Sequence, residues 1–139
     1  VFPDDLGRRA PCADGNRRET MKPILGDNTL TILSKALDAL SLRHEVIADN
    51  IANVNTPGFK AKYVRFEDEL KAAASRGDLA AFRPVIEEDQ LAVRADGNSV
   101  DIDLENARLA ETSITYSAIS QLVSSRFSLL KYVISEGRR

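Results

Sequence analysis

The chain has 139 residues, 43% hydrophobic and 29% charged, enough for one ordinary domain or two long helices with a small insert, and too few for a multidomain enzyme. Lys and Arg total 19 against 21 Asp and Glu, and a net charge of −2 leaves no surplus of cations for nucleic acid or an acidic bilayer surface. A lone cysteine, Cys12, cannot close an internal disulfide or, with the lone His44, complete a four-ligand zinc site, and the longest apolar run, Leu79-Ala-Ala-Phe82, is far short of a membrane span.

Residues 1–20 carry eight charges that sum to zero and three Gly or Pro breaks before Asp14, with no apolar segment of the kind a cleaved secretory signal requires. Patterned sequence starts at the only methionine, Met21. Residues 1–20 are therefore read as a non-native or disordered tail.

Residues 21–58 are read as an N-terminal helix and a closing turn. Leu30, Leu33, Leu37, Leu40, His44, Ile47, Ile51 and Val54 recur with alternating steps of three and four, a helical seam of about 37 Å, with Asp27, Asn28 and Thr29 as candidate N-caps. The seam is narrow, so its expected partner is another long helix, in this chain or in a neighbour. His44, the one polar residue in it, is expected to set register rather than to bind a ligand. Pro57 ends the helix, and Thr56-Pro-Gly-Phe59 reads as a type II turn in which Gly58 takes the positive φ.

Residues 59–102 form a less regular middle, with a short helix expected around Phe66 to Ser75, a break at Arg76-Gly-Asp78, and strand-like Val85-Ile86 and Leu91 to Arg94. A hairpin turn is expected at Asp96-Gly-Asn-Ser99, followed by alternating Val100 and Ile102. The same stretch fails as a calcium loop: counted from Asp96, Val100 stands at the fifth position and Asp101 at the sixth, where a ligand and a glycine are required.

Residues 103–139 are read as a second long helix, free of Gly and Pro from Leu104 to Glu136, acidic at its start and followed by Arg138 and Arg139. Its apolar residues cover an arc much wider than a two-helix seam requires. The other face carries Ser117, Ser120, Ser124, Ser125, Ser128 and Ser135, and Thr112 to Ser125 holds no charge. Small hydroxyl residues let another helix approach closely, whereas a solvated face normally carries Lys and Glu. The fold expected is mainly α, with long terminal helices pairing in a coiled-coil-like bundle around an irregular or β-hairpin middle.

No enzyme motif emerges: there is no G-x-S-x-G elbow, no phosphate-cradling glycine loop and only one histidine. The carboxylate pairs Glu67 and Glu69, and Glu87 and Glu88, read as a solvated acidic face, and no cofactor or metal is expected. The surface expected to mediate assembly consists of Leu30, Leu33, Leu37, Leu40, Ile47, Ile51 and Val54 with Tyr116, Ile119, Val123, Phe127, Leu130 and Ile134.

The stretch Asn50-Ile-Ala-Asn-Val-Asn-Thr-Pro-Gly-Phe59 resembles the end of the N-terminal helix in the bacterial flagellar rod and hook family. Asn50, Asn53, Asn55, Thr56, Pro57, Gly58 and Phe59 match that motif. Leu42 to Asn50 before it, Asp96 to Asp103, and Tyr116 to Phe127 extend the resemblance over Met21 to Arg139, and the length fits the short proximal rod proteins. The resemblance implies a non-enzymatic subunit, exported through the flagellar type III apparatus without a cleaved signal. Its implied partners are itself, other rod proteins, and the adaptor and ring protein at the rod base, in a periplasmic rod that transmits torque. The competing reading is a soluble helical adaptor or chaperone that holds a partner in an apolar groove, with a small acidic hydrolase as a distant third.

Overall fold

The structure, a computed structural model, describes residues 27–89 and 94–136. In chain order it consists of α1 (Asp27–Ala52), β1 (Lys62–Arg65), α2 (Glu67–Arg76), β2 (Val85–Glu88) and α3 (Ile102–Glu136). The two long helices pair as expected, and the middle carries a short helix and a two-stranded antiparallel sheet.

α1 is held on two sides, by α3 and by β1 with α2. Its buried residues are Leu33, Ala36, Ala39, Leu40, Val46, Ile47 and Asn50. This stripe is broader than the narrow seam read from the sequence. Alanines at 36 and 39 are silent in a count of large apolar residues, yet they sit where a second layer needs close approach. The core gathers Leu40 and Val46 with Val64 and Phe66 of the β1 region, Ala73 of α2, and Leu79 and Phe82 of the loop after it. That loop is the chain's longest apolar run, and its two ends anchor it. α3 contributes Ile119 from one side.

α2 begins with Glu67, Asp68 and Glu69 and ends with Arg76, charges that complement the helix dipole at each end. Gly77 terminates it at φ +73°, with the Asp78 N–H bonded to the Ala73 carbonyl at 3.1 Å. α3 starts at Ile102, one residue before the expected 103, because the Asp101 carboxylate accepts the Asp103 and Leu104 N–H groups at 3.0 and 3.3 Å. Ile102 is therefore helical and not the end of a strand.

The sheet differs from the expected hairpin. β2 pairs with β1, register Lys62↔Glu88 to Arg65↔Val85, across the whole of α2 rather than across the turn at residues 96–99. β1 went unread because Lys62-Tyr-Val-Arg65 is short and charged at both ends. The strand expected from Leu91 falls on residues outside those described, apart from Arg94. The turn itself exists: the Arg94 N–H bonds the Asn98 carbonyl at 3.1 Å, and Gly97 has φ +81°.

Candidate assembly interface

The expected interface residues divide by depth. Leu33, Leu40 and Ile47 are buried inside the single chain. Leu30, Leu37, Ile51, Val54, Ile119, Val123 and Leu130 are half-buried, and Tyr116, Phe127 and Ile134 are exposed. His44 is half-buried between the helices, its ring edge-on to Tyr116 with centroids 6.3 Å apart.

α3 is about 52 Å long against about 39 Å for α1, and its only buried residues are Glu105 and Thr112. Toward α1 it turns Thr112, Tyr116, Ile119 and Val123. A second series, Ile114, Ala118, Leu122, Ser125, Leu129 and Tyr132, recurs with steps of four and three on a different face. Every member of it is exposed, Ile114 to 71% and Tyr132 to 64%. Such a seam is built for a helix, and no described element of this chain lies on it. Beside it runs the serine face, where Ser113 and Ser117 donate to the carbonyls of Leu109 and Ser113 at 2.8 and 2.9 Å. Hydroxyls satisfied by their own helix can be covered without orphaning a polar group.

The Asn-rich motif is the other constructed part. The last turn of α1 tightens, with Asn53 N–H bonded to both the Asp49 and Asn50 carbonyls at 3.1 Å. Phe59 N–H then bonds the Thr56 carbonyl at 3.3 Å with Gly58 at φ +73°, the expected type II turn. Within the motif, Asn53 Nδ2 donates to the Asp49 carbonyl in the last turn of α1 at 2.8 Å. The carbonyls that follow are capped by Asn98, in the distant turn that fails as a calcium loop. Its buried Nδ2 donates to the carbonyls of Asn53, Val54 and Thr56 at 3.0, 3.2 and 2.8 Å, and its Oδ1 accepts the Val100 N–H at 2.7 Å. The two turns zip together further: Gly58 N–H to Asp96 O at 3.0 Å, Ser99 N–H to Phe59 O at 3.0 Å, and Ala61 N–H to Ser99 Oγ at 2.7 Å.

β1 is held on its outer edge by side chains of α1. Asp89 N–H bonds Ala61 O at 2.8 Å, so in this antiparallel register the backbone groups of Lys62 and Val64 point away from β2. Asn50 takes both groups of Lys62, accepting its N–H at 2.9 Å and donating to its carbonyl at 2.6 Å. Arg43 donates to the Val64 carbonyl at 2.8 Å and to Glu67 Oε1 at 2.7 Å, and lies 4.5 Å over the Phe66 ring. Partial burial raises the pKa of Glu67, but the Arg43 bond, the Glu67 and Phe66 amides and the Arg43 charge outweigh it, so the carboxyl titrates below its ordinary value. Asn50 Nδ2 also reaches the buried Glu105 at 3.0 Å, whose other oxygen accepts Arg108 at 2.6 Å. One asparagine thus joins α1, β1 and α3.

Sequence reasoning missed Arg43, Asn98, Glu105 and Arg108. Glu105 had a signal: it stands seven and fourteen residues before Thr112 and Ile119, on the face turned to α1, where a carboxylate needs a partner. The cleft between β1 and α3, about 200 Å³, is lined by Arg43, Lys62, Glu105, Arg108 and Glu111 among others. That is smaller than common ligand pockets, and Arg43, Glu105 and Arg108 are already engaged. Among the described residues no group of three or more His, Cys, Asp or Glu is placed to hold a metal, and no helix is long and apolar enough to cross a membrane.

The sequence model for flagella basal body rod proteins matches residues 30–60, which are α1 and its Pro-Gly turn. The flagellar basal body rod protein FlgB of Bacillus subtilis is 30% identical over 127 residues, covering 82% of this chain and 98% of that protein. The chain belongs to the FlgB family. The FlgB of Borrelia hermsii is 38% identical over 128 residues, covering 76% of this chain and 95% of that protein, and that of Escherichia coli is 30% identical over 132 residues, covering 80% and 96%. Alignments of this length take in both long helices and the middle, so FlgB membership extends well beyond the Asn-Pro-Gly motif. Membership places the chain among the structural proteins of the flagellar basal body rod.

Proposed function

We propose that this FlgB-family chain polymerises through its terminal helices into the proximal rod, and that the rod carries torque across the periplasm. It reaches that site by export from the cytoplasm through the flagellar type III apparatus, without a cleaved signal. Its neighbours are further copies, other rod proteins, and the adaptor and ring protein at the rod base. The observation that carries this reading is the second seam of α3, from Ile114 to Tyr132, about 27 Å of largely apolar surface, interrupted by Ser125, with no covering element among the described residues. A long seam flanked by small hydroxyl residues suits a helix of a neighbouring subunit, whereas an adaptor requires an enclosing groove.

The test is complementation of a strain lacking its own copy with Leu122→Asp and Leu129→Asp variants. Both positions are exposed in the single chain, so folding and abundance should be normal while rods and motility are lost. Normal motility with both variants would refute assembly through this face.

A further inference from the structure

Of the elements that a second copy of the chain could lay on the α3 seam, most have the wrong chemistry. α1 turns Ser34, Asp38, Ser41, Glu45 and Asp49 outward, a polar and acidic face. α2 exposes Glu67, Asp68, Glu69 and Lys71, and β2 offers only Val85 and Ile86, about 7 Å of apolar strand against about 27 Å of seam. Among the described elements, α3 alone carries an exposed apolar stripe of matching length, so the seam's counterpart is the same seam on another copy.

Large and small residues alternate along it. Leu122 and Leu129 stand at one of its two heptad positions, Ala118 and Ser125 at the other, and all four are exposed in the single chain. In an antiparallel pair the two positions face each other. Ala118 then meets the partner's Leu129 and Ser125 the partner's Leu122, and two-fold symmetry repeats both layers. The next layer sets Tyr132 against the partner's Thr115, a residue whose hydroxyl is already bonded to the Glu111 carbonyl at 2.9 Å. Parallel pairing would set alanine on alanine and serine on serine, two underfilled layers. Charge fixes the register. Glu111 and Glu136 lie in line with the seam, one beyond each end, and a slip of one heptad either way brings Glu111 onto Leu129 or Glu136 onto Ala118, desolvating a carboxylate. Without a slip, both carboxylates stay past the last apolar layer, where solvent screens them.

We propose that two copies pair through this seam, α3 against α3, antiparallel and two-fold symmetric. The proposal deepens the assembly reading above and rests on it for its consequence. An isologous contact uses one face of both copies and closes on itself, so it does not propagate a rod. The pair therefore covers the rod-forming face of free chains, and a chain must leave its partner before it joins the polymer. So few layers make a contact at the small end of specific interfaces, with a dissociation constant of about 1–100 µM.

Sedimentation equilibrium and thiol crosslinking of the purified full-length chain test the pairing. The protein should be dimeric at about 100 µM, and Leu122→Asp or Leu129→Asp should weaken pairing at least about tenfold with an unchanged circular dichroism spectrum. In a Cys12→Ser background, chains with Ala118→Cys mixed with chains with Leu129→Cys should join through a short bis-maleimide about tenfold faster than either joins itself, because the antiparallel pair sets each of these positions about 16 Å from its own counterpart. A monomer at that concentration, species larger than a dimer, or Ala118→Cys chains that join each other as fast as the mixture would each overturn the pairing. Complementation separates it from the rod reading. A monomeric protein whose Leu122→Asp variant still loses motility overturns the pairing alone, whereas a dimer whose Leu122→Asp variant dissociates yet swims supports the pairing and takes the rod contact away from this face.

Discussion

Replacing Asn98 by Asp exchanges one amide NH₂ for one oxygen and leaves the shape almost unchanged, so its effect isolates the hydrogen bonding at the end of α1. Nδ2 faces three carbonyls within 3.2 Å, and the side chain is wholly buried. A carboxylate there confronts three carbonyl oxygens, only partly offset by the Arg94 guanidinium that shares the Val54 carbonyl at 3.1 Å, an arrangement that costs about 3 kcal/mol, against a total domain stability of about 5–15 kcal/mol. The variant lowers that cost by holding its proton, and a penalty of that size corresponds to a folded-state pKa raised by about two units or more. The sign follows. A carboxyl with a raised folded pKa binds more protons folded than unfolded, so the variant is least destabilised below the unfolded pKa, and stability falls as pH rises through the folded pKa. Asn98→Ala removes the same bonds without a charge and should cost about 1–3 kcal/mol with no such pH dependence. Urea unfolding followed by circular dichroism, at about pH 4.5 and about pH 7.5, separates the two. If Asn98→Asp matched the unmodified chain at the higher pH, or shared the flat profile of Asn98→Ala, Asn98 would not be the buried cap of α1.

Arg108→Met leaves Glu105 buried with only Asn50 as a donor and should cost about 3 kcal/mol, while adding Glu105→Leu should recover part of the loss; a double-mutant cycle by urea unfolding checks the coupling. At Gly58 a Cβ would meet nothing within 4 Å, so substitutions report φ alone: Val should cost about 1–3 kcal/mol, Ala less and Asn least, and equal unfolding midpoints for Val and Asn would refute the left-handed turn. Glu67→Gln should destabilise by less than about 1 kcal/mol at neutral pH, because the carboxylate is largely exposed. Its pKa is depressed by folding, so this contribution is present above the ordinary carboxylate range and lost as pH falls through the folded value; the difference between variant and parent should close there.

Both terminal helices, the Pro-Gly turn and the positive φ of Gly58 were legible in the sequence, because each is set by neighbours within a few residues: a period of three and four, a proline without an N–H, a glycine where a Cβ strains. The membership of the family was legible in the same local stretch, Asn50 to Phe59. What lay beyond local reasoning was the choice of partners. A carbonyl at the end of α1 accepts any donor, so nothing near Asn53 to Thr56 names Asn98 more than forty residues away as the one that caps it. Lys62-Tyr-Val-Arg65 is a strand only because Asn50 and Arg43 take its outward groups while β2 takes the others. The division of α3 into a side turned to α1 and an open seam was likewise decided by packing. A wide apolar arc states how much surface must be covered, and only the placement of α1 determines which part this chain covers by itself.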